Sequence, residues 1–458
     1  MSPTERQKSK EDKAGLSLTS GSIPKGLILY AIPLLASGLI QQLYSTVDLI
    51  FVGQLLGTES AAAIGASDLL ITCFVGFFNG MAVGSSVFAA QHFGGKRWDK
   101  LKSLIFTMFI TGLAGGILLL IAAQLFAPVF LRMMGTPEAI MKLAEAYLRI
   151  YILSMPGIVM YNLLSGVVRA IGDSRTPMLV QLFGGIVNVA ADYLCIAALG
   201  MGVEGTAIAT MLSQTFAAVC IVVYLMRLKA PYALSFKGSA FSLPELLHVL
   251  KVGVPSGIQA IIITFSNIII QSQINRLGVE SIASFTVYFK AEMLLYLPVL
   301  AIGQAAVAYI GQNYGAGDFE RLKKGKRFCF LGGAGFTLAE SLLLLALAPV
   351  IVSVFTRDSA VRSLSCRIMR TTYPLYFLCT MLEVLSSNLR GLGKALLPMI
   401  VVIISYCGFR LMLLFMLMAH SKTVGSVALC YPLSWAFAVF WMLIAVRYQE
   451  RQINTGRV

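Results

Sequence analysis

Charge is what this chain has least of. Only 12% of its 458 residues are Asp, Glu, Lys or Arg, where a soluble protein carries roughly a quarter. A water-soluble body of this size cannot be covered with so few polar side chains. No hydrophilic stretch is long enough for a separate soluble domain. The eight cysteines follow no CxxC or Cys/His spacing. That excludes a disulfide framework and a zinc knuckle, and reads as reduced packing residues. There is no HExxH, and His92, His248 and His420 lie near different membrane edges. A metal triad for hydrolysis within the membrane is thereby excluded. No Walker pattern occurs. The glycines at 94–95 and in 315–317 sit in basic loops that follow no strand, so they read as helix caps and turns. ATP is not the expected energy source, and no cofactor is expected.

Apolar residues fill the chain instead. They make up 57% of it, and the mean hydropathy is +0.81. Runs of about 20 apolar residues recur throughout, each long enough to cross ~30 Å of hydrocarbon. Gly, Pro and charged clusters separate twelve expected helices. These fall at 26–52, 61–92, 104–131, 145–168, 179–200, 205–227, 248–275, 282–312, 329–352, 364–389, 396–419 and 425–447. The class is an all-α integral membrane protein.

The net charge of +15 is a matter of placement. Most of the 36 Lys and Arg fall in the two tails and the even-numbered loops. By the positive-inside bias those regions face the cytoplasm, as do both termini. A membrane accounts for the charge, and nucleic acid is not an expected partner. The first apolar run is too long for a cleavable signal, and residues 1–20 read as a disordered cytoplasmic tail.

The two halves repeat. "LGTES" at 56 returns as "LGVES" at 277, "QHFGGKRWDKL" at 91 as "QNYGAGDFERL" at 312, and "RAIGDSRTPM" at 169 as "RGLGKALLPM" at 390. The shift is 221 residues each time. Six spans per half bring both halves in from the same side, so they form a parallel repeat about the membrane normal. The expected organisation is a tail at 1–24, a first lobe at 25–228, a cytoplasmic linker at 229–247, a second lobe at 248–447 and a C-terminal tail at 448–458.

A charge inside a span is costly and marks a candidate site. The carboxylates are Asp48, Asp68, Asp192, Glu292, Glu340 and Glu383. Asp48 and Asp192 lie at similar depths below outer turns. Asn188 is one helical turn from Asp192 on the same face, and Thr210 lies at comparable depth on the next span. Two carboxylates, an amide and a hydroxyl suit a hard cation such as Na⁺. A closely placed carboxylate pair can equally hold a proton. Asp68 reads as a helix-start or lumen-facing residue as readily as an ion ligand. Lys290 and Arg410 are expected to pair with Glu292 or Glu340 in a charge network of the second half.

The stretches "IPLLASGLIQQLYSTVDLIFVGQLLG", "AAQHFGGKRWDKL", "VVRAIGDSRTPM" and "FKAEMLLYLPVLAIGQAAVAYIGQNYGAGD" resemble bacterial multidrug and toxic compound extrusion (MATE) transporters. The resemblance covers about residues 25–447. It implies two six-helix lobes in a V around a cavity. It also implies antiport of amphipathic, often cationic compounds against Na⁺ or H⁺. Carried to single residues, it gives Asp48, Asn188, Asp192 and Thr210 the role of coupling-cation ligands, and Pro33 that of a bend in the first span. A second-lobe site found in another branch has no match, because span 7 lacks an acid and Cys379 stands at the relevant place on span 10.

The favoured reading is a monomeric exporter of small amphipathic molecules in the bacterial inner membrane. A flippase for lipid-linked oligosaccharides or peptidoglycan precursors is the alternative. An enzyme is not expected.

Overall fold

The computed structural model describes residues 17–133 and 136–454. Residues 1–16 of the expected tail, and 455–458, lie outside the described residues. Among the described residues all regular structure is helical. The helices are α1 (Ile23–Phe51), α2 (Gly57–Gly94), α3 (Trp98–Met133), α4 (Glu138–Ile152), α5 (Met155–Ala170), α6 (Arg175–Asp192), α7 (Val203–Arg227), α8 (Leu243–Asn275), α9 (Val279–Ala316) and α10 (Phe319–Ala346). The remainder are α11 (Ala348–Phe355), α12 (Ser359–Thr372), α13 (Phe377–Gly391), α14 (Leu396–Val402), α15 (Arg410–His420) and α16 (Val424–Asn454).

Among the described residues ten helices are long and apolar enough to cross a membrane. The number is eleven if α4 and α5, bent by 46° at their junction, count as one span. The expected span at 364–389 is not among them. It is drawn as α12, a 3₁₀ turn at Tyr373–Leu375 and α13. Pro374 has no N–H with which to continue a helical ladder. Arg367, Arg370, Glu383 and Arg390 add polarity that the other spans avoid.

Ile32–Gly257 forms one compact unit, and Thr19–Ala31 together with Ile258–Val458 forms the other. The division runs inside α1, two residues before Pro33, and inside α8, two residues after Pro255. In the first unit α2 and α8 meet through glycines. A Cβ on Gly80 would lie 2.2 Å from Gly257 N, and one on Gly84 would lie 2.4 Å from Val249 O. Small residues spaced four apart on both helices let the backbones touch. Ser85 Oγ donates to Leu163 O at 3.0 Å and ties α2 to α5. The segment after α7 belongs to this unit too. Tyr232 is buried, with its ring 5.4 Å from Trp98 and 6.0 Å from Phe93.

In the second unit the core gathers around Tyr288, Tyr373, Tyr376 and Trp435. The chain before α1 is ordered from residue 17, which corrects the expectation of disorder up to residue 20. Arg321 donates to Ser20 O at 2.8 Å and to Gly21 O at 2.9 Å.

The repeat reappears in the backbone. Gly57 and Gly278 have φ of 83° and 96°, Gly172 and Gly393 have 98° and 81°, and Lys96 and Gly317 have 52° and 73°. Each pair is 221 residues apart. Lys96 therefore holds a left-handed conformation that the second repeat gives to glycine. A side chain there costs about 1 kcal/mol. Lys96→Gly is expected to raise the thermal midpoint slightly in detergent; a lower midpoint would contradict this.

Three π-turns adjust that register: Val52–Leu56 after α1, Tyr193–Ala198 after α6, and Ile403–Phe409 between α14 and α15. Each accommodates an extra residue in its span. Before Val52 the shift is therefore 222, which pairs Pro33 with Pro255. Pro177 pairs with Pro398 at 221. The π-turn at Ile403–Phe409 raises the shift to 222, and the one at Tyr193–Ala198 returns it to 221.

Candidate functional site

The predicted residues of the first unit come from three helices. Tyr44 and Asp48 stand one turn apart on α1. Gln181, Asn188 and Asp192 lie on one face of α6, and Thr206 and Thr210 are one turn apart on α7. Asp192 closes α6, immediately before its π-turn. It is fully buried, and Asn188 and Thr206 are nearly so. Asp48 is partly buried.

The carboxyls of Asp48 and Asp192 stand within hydrogen-bonding reach of each other. No described N–H or O–H donor serves Asp48 Oδ1 or either Asp192 oxygen. Two carboxyls in contact bond only when one carries a proton. Otherwise their repulsion needs a cation between or beside them. Asn188 Oδ1 and Thr206 Oγ1 are also buried without a partner. Thr210 Oγ1 donates to Thr206 O at 3.1 Å, which spends its proton within its own helix and leaves its lone pairs available. The unsatisfied set is made of oxygen, as a hard monovalent cation or a proton requires. Among the described residues no three His, Cys, Asp or Glu converge as a transition-metal site would need.

Behind this cluster Gln181 Nε2 donates to the Tyr44 hydroxyl at 3.1 Å. A small pocket there is lined by Tyr44, Gln181, Asn188 and Ser213 among others. Gly185 makes room for the Tyr44 ring, since a Cβ would sit 3.2 Å from its Cδ1. Sequence reasoning passed over Tyr44, Gln181 and Thr206. All were within its reach: Tyr44 is four residues before Asp48, Thr206 four before Thr210, and Gln181 seven before Asn188.

Pro33 lies inside α1, well before Asp48. Asp68 is on α2, with its side chain outside the described residues.

The expected charge network of the second unit forms only in part. Glu292 has the Tyr376 hydroxyl as its main donor, and it feels the Arg410 charge from further away. Lys290 is exposed, and no ion pair among the described residues includes it or Arg410. Two positions apart on a helix, Lys290 and Glu292 point in different directions. Glu340 Oε2 is buried without a partner. Glu383 is held by Arg390 at 3.0 Å.

Comparison with known proteins follows the repeat. The MatE family model matches residues 33–194 and again 255–416. The "Probable multidrug resistance protein YoeA" of Bacillus subtilis (strain 168) is 27% identical over 443 residues, 93% of this chain and 94% of that one. "Probable multidrug resistance protein YpnP" of the same organism is 30% identical over 313 residues, 66% and 68% of the two chains. A structure of "MATE in the straight conformation" shares the fold with a TM-score of 0.88 at 23% identity, covering 95% of this chain and 99% of that one. A MOP superfamily transporter from Pyrococcus furiosus aligns with a TM-score of 0.88 at 23% identity, over 96% and 98%. Matched in both halves and over most of its length, the chain belongs to the MatE family of membrane transporters.

Proposed function

We propose that this chain exports amphipathic, cationic small molecules in exchange for Na⁺ or H⁺ by alternating access. Asp48 and Asp192, with Asn188, Thr206 and Thr210, hold the coupling cation. The observation that carries this reading is the contact of two buried carboxyls that no protein donor serves. Such a pair is costly when empty and relaxed when a cation or proton enters. Binding therefore changes which arrangement of α1, α6 and α7 is preferred, and that difference is what couples an ion to a transport cycle. The names of the Bacillus relatives support multidrug export. The solved relatives described as straight and bent support two states. The excess of Lys and Arg in the tails and even loops supports cytoplasmic termini in an inner membrane, and the chain is taken to act as a monomer.

The test is flux in proteoliposomes. Purified protein is reconstituted, a fluorescent organic cation is supplied, and a Na⁺ or an H⁺ gradient is imposed in turn. One gradient is expected to drive the dye against its own gradient, with stoichiometric ion movement in the opposite direction. Dye-independent movement of a lipid-linked sugar, with no ion coupling, would instead make the protein a flippase.

A further inference from the structure

The second repeat has its own version of the first repeat's site. With the register set by the π-turns, Asp48 corresponds to Ile270, Asn188 to Arg410 and Asp192 to Leu414. Beyond the last π-turn Thr210 corresponds to Tyr431. The 222-residue offset between both ends of the two family matches agrees with the first three pairings. Ile270 and Leu414 are completely buried, and Arg410 is only 2% exposed. Both acids have thus become aliphatic, and the amide has become a guanidinium.

That guanidinium is enclosed. Its carbon lies 4.6 Å from the centre of the Tyr406 ring and 4.4 Å from that of Tyr431. Nη1 donates to Asn267 Oδ1 at 3.3 Å, while Nε is buried without a partner. Two tyrosine faces and an amide oxygen are what a site for an organic cation would offer. Ser266 Oγ, donating to Tyr406 O at 2.9 Å, fixes the π-turn that aims one of the rings. A buried arginine with no close carboxylate costs stability. Its placement at the counterpart of a cation site gives that cost a reason.

We propose that Arg410 is a tethered cation that keeps the second repeat's counterpart of the carboxylate site permanently filled, so that this repeat exchanges no ion with solution. The positive charge comes with the chain, and Glu292 supplies the distant counter-charge. That the first repeat alone exchanges an ion rests on the function proposed above. That Arg410 fills its own slot does not.

The experiment is chemical rescue of purified full-length protein. Arg410→Ala is expected to lower the thermal midpoint by several degrees. Millimolar ethylguanidinium should recover at least half the loss, while ethylurea, of the same shape and neutral, should recover none. Equal recovery by both compounds would mean that the slot needs volume rather than charge, and would overturn the proposal. If the alanine variant does not accumulate, Arg410→Lys and Arg410→Met decide between charge and bulk. The lysine variant should keep most of the wild-type midpoint and the methionine variant should not; equal midpoints would overturn it. Ion binding is then counted with Arg410 intact. One exchangeable cation per chain is expected, lost on Asp48→Asn. Two per chain would refute the closed second slot. Rescue that succeeds while Asp48→Asn leaves ion binding unchanged would refute the first-repeat site alone.

Discussion

Asp48→Asn is expected to abolish gradient-driven export while the protein inserts and folds normally. The membrane potential supplies ~2.3 kcal/mol per charge per 100 mV, enough for about a 50-fold substrate gradient with one cation per cycle. An amide has nearly the shape of the carboxyl but cannot take up a proton and binds Na⁺ weakly. The accumulated gradient should therefore fall from about 50-fold to background. Stability should move the other way. The new amide N–H can donate to Asp192, whose two oxygens have no protein donor, and one of two facing charges is gone. The variant is expected to melt at or above the wild-type midpoint. Asp192→Asn should behave alike. Glu383→Gln should be milder, because Glu383 is paired with Arg390 rather than with the cluster. Export in cells at matched membrane abundance, together with ion-coupled uptake in vesicles, measures all three. Wild-type transport by both aspartate variants would move the coupling site elsewhere.

Gly80→Leu is expected to leave almost no folded protein. A single Cβ at Gly80 would lie 2.2 Å from Gly257 N and 2.3 Å from Gly257 Cα. Both are backbone atoms, so no rotamer change relieves the clash. One at Gly257 would meet Phe77 O at 2.8 Å, and one at Gly253 would meet Met81 Cα at 3.0 Å. Separating α2 from α8 by an ångström or more would empty a contact that extends over two helical turns. The loss from such repacking is on the order of several kcal/mol, which a protein of ordinary stability does not survive. Gly115→Ala, in α3, is the control. Nothing lies within 4 Å of a Cβ there, and the change should be neutral or mildly stabilising. Size-exclusion profiles and thermal midpoints in detergent compare them. A monodisperse Gly80→Leu protein with an unchanged midpoint would refute this account of the α2–α8 contact.

Much of this architecture is legible in the chain. The motif pairs separated by 221 residues identify positions that later share a left-handed backbone, including the unlikely Lys96. Asp48 and Asp192 are conspicuous as acids in apolar runs. Other features leave weaker traces. A π-turn inserts one residue without disturbing the apolar character of a span, so no periodicity reveals it. The pairing of Asn188 with Arg410 depends on that single residue. The break at Tyr373–Leu375 is signalled by Pro374, but a proline can also sit within a continuous helix, as Pro33 does in α1. The polar surroundings of α12 and α13 decide that case. Ser20 and Gly21 are held by a side chain 300 residues away, and no local pattern announces such a grip. Thr206 and Tyr44 were missed because neutral polar residues in a span are common. Only their burial beside two carboxyls sets them apart.

The division inside α1 and α8 also bears on the order of synthesis. Thr19–Ala31 is made among the first residues, yet it belongs with Ile258–Val458. At about 5–20 residues per second it waits on the order of tens of seconds for the last of that unit. The first unit in turn cannot close around Gly80 and Gly84 until the ribosome has passed Gly257. A nascent chain halted after Arg227 would hold six helices' worth of apolar sequence and still lack the backbone that fits against α2. The leading end of α1 would meanwhile face lipid, its companions not yet translated.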